Sequence, residues 1–146
     1  MATDTDLDQW IPASPEPDPD SEPFWEAAQE LRLVAQCCDD CRALRFPPSP
    51  LCSSCHSWNF AWVDLPPVGT VHSWIVVTHP VSDSFQARVP YVVAMVDVAA
   101  GVRIPSRLVG VTPDDVSEGL QVGVVFLTTV DGLKVPAFGS RQTDRP

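Results

Sequence analysis

Cys38-Asp39-Asp40-Cys41 and Cys52-Ser53-Ser54-Cys55, with ten residues between them, decide how the first half of this chain folds. Each Cys-x-x-Cys pair can present two sulfurs from one tight turn, and the short link folds the second turn back onto the first. Four thiolates at about 2.3 Å from one ion form the tetrahedral shell that Zn2+ favours, with iron as the alternative. Cys38, Cys41, Cys52 and Cys55 are therefore the expected ligands. Two disulfides are the rival pairing, and they need an oxidising compartment. A closed four-sulfur shell leaves no position for a substrate, so the metal is expected to hold structure and do no chemistry.

Outward from the knuckles, the flanking residues read as a small ribbon. Leu31 to Gln36 enters the first turn as a short strand, Leu44-Arg45-Phe46-Pro47-Pro48 returns from it, and Trp58, Phe60 and Trp62 leave the second turn at period two. Ahead of this, Ser21 followed by Glu22 and Pro23 predicts a helix start with Ser21 as cap. Phe24, Trp25, Ala28 and Leu31 then fall near one face. Such a helix is too short to stand alone and must pack on something, the ribbon being the expected surface.

Past Pro66-Pro67 the chain becomes β-rich. Val71–Val77 reads as a strand with Val71, Ser73, Ile75 and Val77 on one side and His72, Trp74 and Val76 on the other. The latter stripe is a candidate interface, or a surface covered by the ribbon or helix. A long loop over 78–90 leads to Tyr91–Val98, apolar on both faces. Val102–Val109 follows, where Pro105 argues for an edge or a bend. Thr112-Pro113-Asp114-Asp115 predicts one helical turn ended by Gly119, and Asp131-Gly132 joins the last two strands, Val122–Val130 and Leu133–Phe138, as a hairpin. Five strands with a helical turn between the third and fourth is the order of an OB barrel. The expected fold is mainly β: an N-terminal helix and a four-cysteine zinc ribbon over 21–66, then a five-stranded OB-fold barrel over 67–140. Residues 1–20, alternating Pro with acids, are expected to form a disordered tail, and 141–146 a loose one.

Charge narrows the function. Residues 1–30 hold nine acids and no Lys or Arg, while 31–146 hold ten acids against nine bases, so −9 of the net −10 belongs to the N-terminal stretch. A nearly neutral body with a single lysine, Lys134, lacks the clustered cations that nucleic-acid phosphates require, so no nucleic-acid partner is expected. No run of about 18 apolar residues is present and no membrane partner is expected. The acidic, apolar-poor first residues point to the cytoplasm. His56, His72 and His79 have no adjacent acid or nucleophile that would assemble a dyad, so catalysis by this chain alone is not expected. Cys37 reads as a small apolar residue in a strand, with a redox thiol or a substitute ligand as the sharper alternatives.

Several linked stretches now form one pattern: Phe24-Trp25, Leu31-Arg32-Leu33, the two knuckles, Phe46-Pro47-Pro48, Gly69-Thr70-Val71, Pro90-Tyr91-Val92-Val93 and Gly123-x-Val125-x-Leu127. Over about residues 21–140 this resembles a family that pairs a rubredoxin-like zinc ribbon with an OB fold, long catalogued as a domain of unknown function and associated with acyl-CoA enzymes. Arg42 and His56 stand where family knuckles usually place glycine, positions that favour positive φ. The resemblance implies a small, non-catalytic partner of a thiolase-fold or lipid-transfer-protein-like aldolase or thiolase, including retro-aldolases acting on steroid CoA thioesters. The partner would hold the catalytic residues, and this chain would complete the oligomer and shape the acyl-CoA channel. Arg88, Arg103 and Arg107, the arginines of the barrel section, are the candidates to meet the phosphates of CoA. The competing class is a single-stranded nucleic-acid binder, since ribbons and OB barrels both do that work.

Overall fold

A three-stranded sheet and a six-stranded sheet meet through one apolar cluster in the computed structural model, which describes residues 10–99 and 101–140. In chain order the strands are β1 (Trp10–Ile11), β2 (Val34–Cys38), β3 (Leu44–Arg45), β4 (Phe60–Asp64), β5 (Val68–Val77), β6 (Tyr91–Ala99), β7 (Val102–Val109), β8 (Gln121–Thr129) and β9 (Lys134–Ser140). One α-helix, α1 (Glu22–Gln29), precedes the ribbon, and a 3-10 helix (Asp83–Arg88) sits in the long loop between β5 and β6.

The ribbon is the sheet β3-β2-β4, antiparallel throughout, with every residue of β2 buried. The larger sheet closes as β5-β6-β7-β9-β8-β5, the pairing of β7 with β9 being parallel and the others antiparallel. That closure is the OB barrel expected from the strand count. β6 buries every second residue, and Val92, Ala94, Val96 and Val98 line the interior with Val71, Val102, Ile104, Val122 and Phe138. Pro105 lies in β7 opposite Met95 of β6, and β9 is reached only at Leu108 and Val109, so one side of β7 at Pro105 has no paired strand among the described residues, the edge setting in which proline is tolerated. Between β7 and β8 the chain makes a single closed turn, Val116 N–H to Thr112 carbonyl, which drives Val116 into the barrel mouth.

Gly69 explains why β5 can start the barrel. A Cβ there would lie 2.7 Å from Val96 Cγ1 and 2.8 Å from the Asp97 carbonyl oxygen, so β5 crosses β6 at a distance only glycine permits. The ribbon shares the barrel's core through Leu33, Val34, Ala35 and Leu65, and α1 adds Phe24 and Ala27. Phe24 meets Phe46 with ring centroids 5.4 Å apart, which gives the Phe46-Pro47-Pro48 stretch its role as the ribbon's seat for the helix.

Four expectations need correction. Leu31 does not share the buried face of α1: the helix stops at Gln29, Leu31 takes φ 59° as the chain turns, and its side chain is exposed. Ser21 does not cap through its side chain; the carboxylate of Asp18 accepts its N–H at 2.8 Å, and the Asp18 carbonyl accepts the Glu22 N–H. The stretch 10–20 is not wholly unpacked, because β1 pairs in parallel with Thr128 and Thr129 of β8, and Ser14 bonds Thr129 and Asp131. An open strand edge and a half-buried Ile11 supply what the alternating prolines and acids lack. Residues 1–9 and 141–146, the remainder of the expected tails, lie outside the described residues.

The fourth correction concerns β5. A bulge at His72 lets Val71 face Val96 and Ser73 face Met95, so the side-chain alternation changes phase. Trp74 and Val76 therefore share the barrel-interior face with Ala94 and Val92, and Ile75 points outward with Val93. The stripe of His72, Trp74 and Val76 expected on an outer wall does not form.

Candidate metal centre and arginine pocket

The two knuckles are built alike. Cys38 N–H bonds the Ala43 carbonyl and Arg42 N–H the Cys38 carbonyl; Cys52 N–H bonds the Ser57 carbonyl and His56 N–H the Cys52 carbonyl. Arg42 and His56 occupy the left-handed region at φ 63° and 62°, the positive values that the family's usual glycines would meet without strain. Each turn thus closes on its own backbone and aims two sulfurs at a shared centre.

The sulfurs of Cys38, Cys41, Cys52 and Cys55 lie within 4.8 Å of one another, and the Cys38–Cys55 and Cys41–Cys52 pairs are 3.5 and 3.6 Å apart. A tetrahedron with metal–sulfur bonds of about 2.3 Å has edges of about 3.8 Å. The donor set, the spacing and the pairing all fit one tetrahedral ion. Backbone amides prepare the thiolates: the N–H groups of Cys55 and Ser54 pull the Cys52 thiol down to about 6. The N–H groups of Cys41 and Asp40 lower Cys38 in the same way. The second sulfur of each knuckle is reluctant. The Ser57 N–H favours the Cys55 thiolate, but its hydrogen bond with Cys38, burial and the other two sulfurs outweigh it and push the thiol up to about 12. Cys41 is raised as well, the help of the Ala43 N–H being outweighed by burial and Cys52. An incoming cation would displace the protons of Cys41 and Cys55.

Cys37 lies outside this cluster. It is buried in β2 with its Sγ 3.6 Å from the Arg42 carbonyl oxygen, the small apolar residue its position suggested. His56 is exposed, and it shapes the knuckle through its backbone. Behind the second knuckle a polar anchor escaped the sequence reading. Arg45 Nε donates to Gln36 Oε1 at 2.8 Å and its Nη2 to the Ser49 carbonyl at 2.8 Å, while Ser49 N–H also donates to Gln36. The guanidinium stacks on Phe60 at 4.8 Å, so β2, β3, β4 and the link between knuckles are tied at one point. Only the burial of Gln36 could have signalled this, and burial is not written in the residue type.

The three barrel arginines separate. Arg88 and Arg107 line one cavity of about 460 Å3 together with Tyr91, Leu108, Val111 and Thr112. Arg107 lies over the Tyr91 ring at 5.7 Å, and Arg88 Nη1 donates to the Ser84 carbonyl at 3.0 Å. Burial and then the nearby Arg107 charge lower the Arg88 pKa, which marks two cations held close together. Arg103 is elsewhere on β7, with its Nε 2.6 Å from an Asp97 carboxylate oxygen whose other oxygen is 3.7 Å from His72 Nδ1. That hydrogen bond from Arg103 keeps Asp97 below the usual carboxylate range. Tyr91, which lines the cavity, was read from sequence as a strand residue and as part of the Pro90-Tyr91-Val92-Val93 stretch, with no site role.

Among the described residues no helix is long and apolar enough to cross a membrane. The chain's ribbon residues 25–61 match the family description "ChsH2, rubredoxin-like zinc ribbon domain", and residues 62–127 match "ChsH2, C-terminal OB-fold domain". In the solved structure of the Ltp2-ChsH2(DUF35) aldolase, one chain is similar to this one over 88% of this chain and 100% of its own length, at TM-score 0.80 and 36% identity. A probable enoyl-CoA hydratase alpha subunit of Thermomonospora curvata is 40% identical over 116 residues, which span 79% of this chain and only 36% of that protein. A DUF35 domain-containing scaffold protein of Methanocaldococcus jannaschii is 33% identical over 64% of this chain and 67% of its own.

Proposed function

Because this chain belongs to the DUF35 family, with the paired zinc ribbon and OB fold of ChsH2, we propose that it is a non-catalytic subunit of a thiolase-type acyl-CoA enzyme, a retro-aldolase acting on steroid-type CoA thioesters. The observation that carries this reading is the end-to-end likeness to a chain of the Ltp2-ChsH2(DUF35) aldolase. The site chemistry agrees with it. A closed four-sulfur centre has no vacant position to activate a substrate, and the His72–Asp97 pair, already engaged by Arg103, does not line the Arg88–Arg107 cavity. Zinc bound by Cys38, Cys41, Cys52 and Cys55 locks the knuckles and through them the β2–β4 sheet.

In the assembled enzyme the Arg88–Arg107 cavity receives phosphate groups of CoA. Two guanidinium groups beside an aromatic ring suit a dianionic phosphate next to a planar base. Arg103, engaged by Asp97, stands apart from this role. The test is co-purification with the Ltp2-type subunit of the same organism, followed by light scattering. A stoichiometric hetero-oligomer supports the reading. A chain that stays separate from that subunit at micromolar concentration overturns it.

A further inference from the structure

Among the described residues the barrel wall is unfinished on one side. β8 borders β5 only from Val68 to Thr70, and the Leu120 and Gly119 bonds extend this cover to Val71. From Ser73 to Val77 no described strand lies on that edge, although β6 continues to pair on the other. The exposed backbone would normally be guarded by lysine, proline or a covering loop. Here the run from Val71 to Ser82 has no Lys, Arg, Asp or Glu at all.

The side chains on this edge are apolar on both faces. Ile75 is 63% exposed on the outer face; Trp74 and Val76, at 38% and 37%, are exposed on the face that continues the barrel interior. A flat protein surface could cover one of these faces but not both. A strand laid along β5 covers both and also supplies hydrogen-bond partners to the open backbone, because its side chains alternate between the same two faces. The strand's end fixes where such a partner arrives. Val77 pairs with Tyr91, which lines the Arg88–Arg107 cavity, so the open edge and the cavity lie at one end of the barrel.

We infer that residues Ser73–Val77 of β5 form a β-augmentation site for an extended, apolar edge strand of the aldolase subunit, docking that subunit beside the Arg88–Arg107 cavity. The inference rests on the accessory-subunit reading above and names the surface it uses. A non-identical partner is the committed occupant because the similar chain of known structure belongs to an Ltp2-ChsH2 assembly.

Hydrogen exchange on the full chain, alone and in complex with the Ltp2-type subunit, tests it. The amides of 73–77 that point away from β6 should exchange freely in the chain alone and at least about tenfold more slowly in the complex, while the alternate amides, bonded to β6, are protected in both. Ile75→Lys, at an exposed position, should weaken the complex by at least about tenfold while zinc content stays that of the unaltered chain. A complex that forms with 73–77 exchanging as before, and with Ile75→Lys binding normally, overturns the inference and leaves the accessory-subunit reading standing. Protection of the amides that point away from β6 already present in the chain alone, from self-pairing or from its own termini, overturns it too. No complex at all overturns both.

Discussion

At residue scale the knuckles trade some backbone strain for two side chains that the fold does not use. Arg42 and His56 hold φ near +62° with exposed side chains, so neither earns its conformation by packing. A non-glycine residue in the left-handed region costs about 1 kcal/mol, part of which glycine loses again through the freer unfolded chain. His56→Gly should therefore raise the thermal midpoint of the zinc-loaded chain, by up to about 1 kcal/mol of stability, and His56→Val should lower it. The positive φ was expected from the resemblance, in which glycine usually follows the second cysteine of each knuckle. The arginines were less readable. Residue type and period put Arg103 and Arg107 on one face of β7, but only the fold shows Asp97 taking Arg103 and the 3-10 helix carrying Arg88 to Arg107. In the reconstituted enzyme, Arg88→Ala with Arg107→Ala should raise KM for the CoA thioester about tenfold with kcat kept, as loss of binding common to ground and transition states does. Arg103→Ala should leave KM unchanged; equal effects of all three would refute the assignment to the cavity.

At the scale of elements, β5 carries the most information. Its first half is tied by Gly69 to the close crossing with β6, and its second half has no strand on its other edge among the described residues. Gly69→Ala forces a methyl against backbone and Val96, which cannot both move, and should destabilise the chain by about 1–3 kcal/mol in a denaturant titration. An unchanged midpoint would mean that the crossing is looser than described. The existence and order of the barrel strands were legible because alternation and turn residues are local signals. The bulge at His72 was not, since one extra residue leaves composition and apolar count unchanged and shifts only the phase. The packing of the N-terminal stretch was missed for a similar reason. Its Pro-acid alternation carries no period, and β1 forms because the edge of β8 offers a partner rather than through any preference of its own.

At the scale of the molecule, ribbon and barrel share one apolar core. Leu33, Val34, Ala35 and Leu65 of the ribbon sit in the same cluster as Val96, Val122 and Phe138 of the barrel. A ribbon of three short strands has too little core to stand without its ion, and binding free energy for such a site is folding free energy. Stripping the metal with a chelator, or Cys52→Ser, should release bound zinc and abolish protection of β2–β4 in hydrogen exchange, with the barrel's unfolding midpoint falling as well. A chain that keeps the same midpoint without metal would contradict the structural role given to the four sulfurs.

The account as a whole assigns support to this chain and chemistry to its partner. Retro-aldol turnover of a steroid-type CoA thioester should be measured with this chain alone, the Ltp2-type subunit alone and the two together. The account predicts no turnover from this chain, little from the isolated subunit and full turnover from the pair. Turnover by this chain alone, or an isolated subunit as active as the pair, would contradict it.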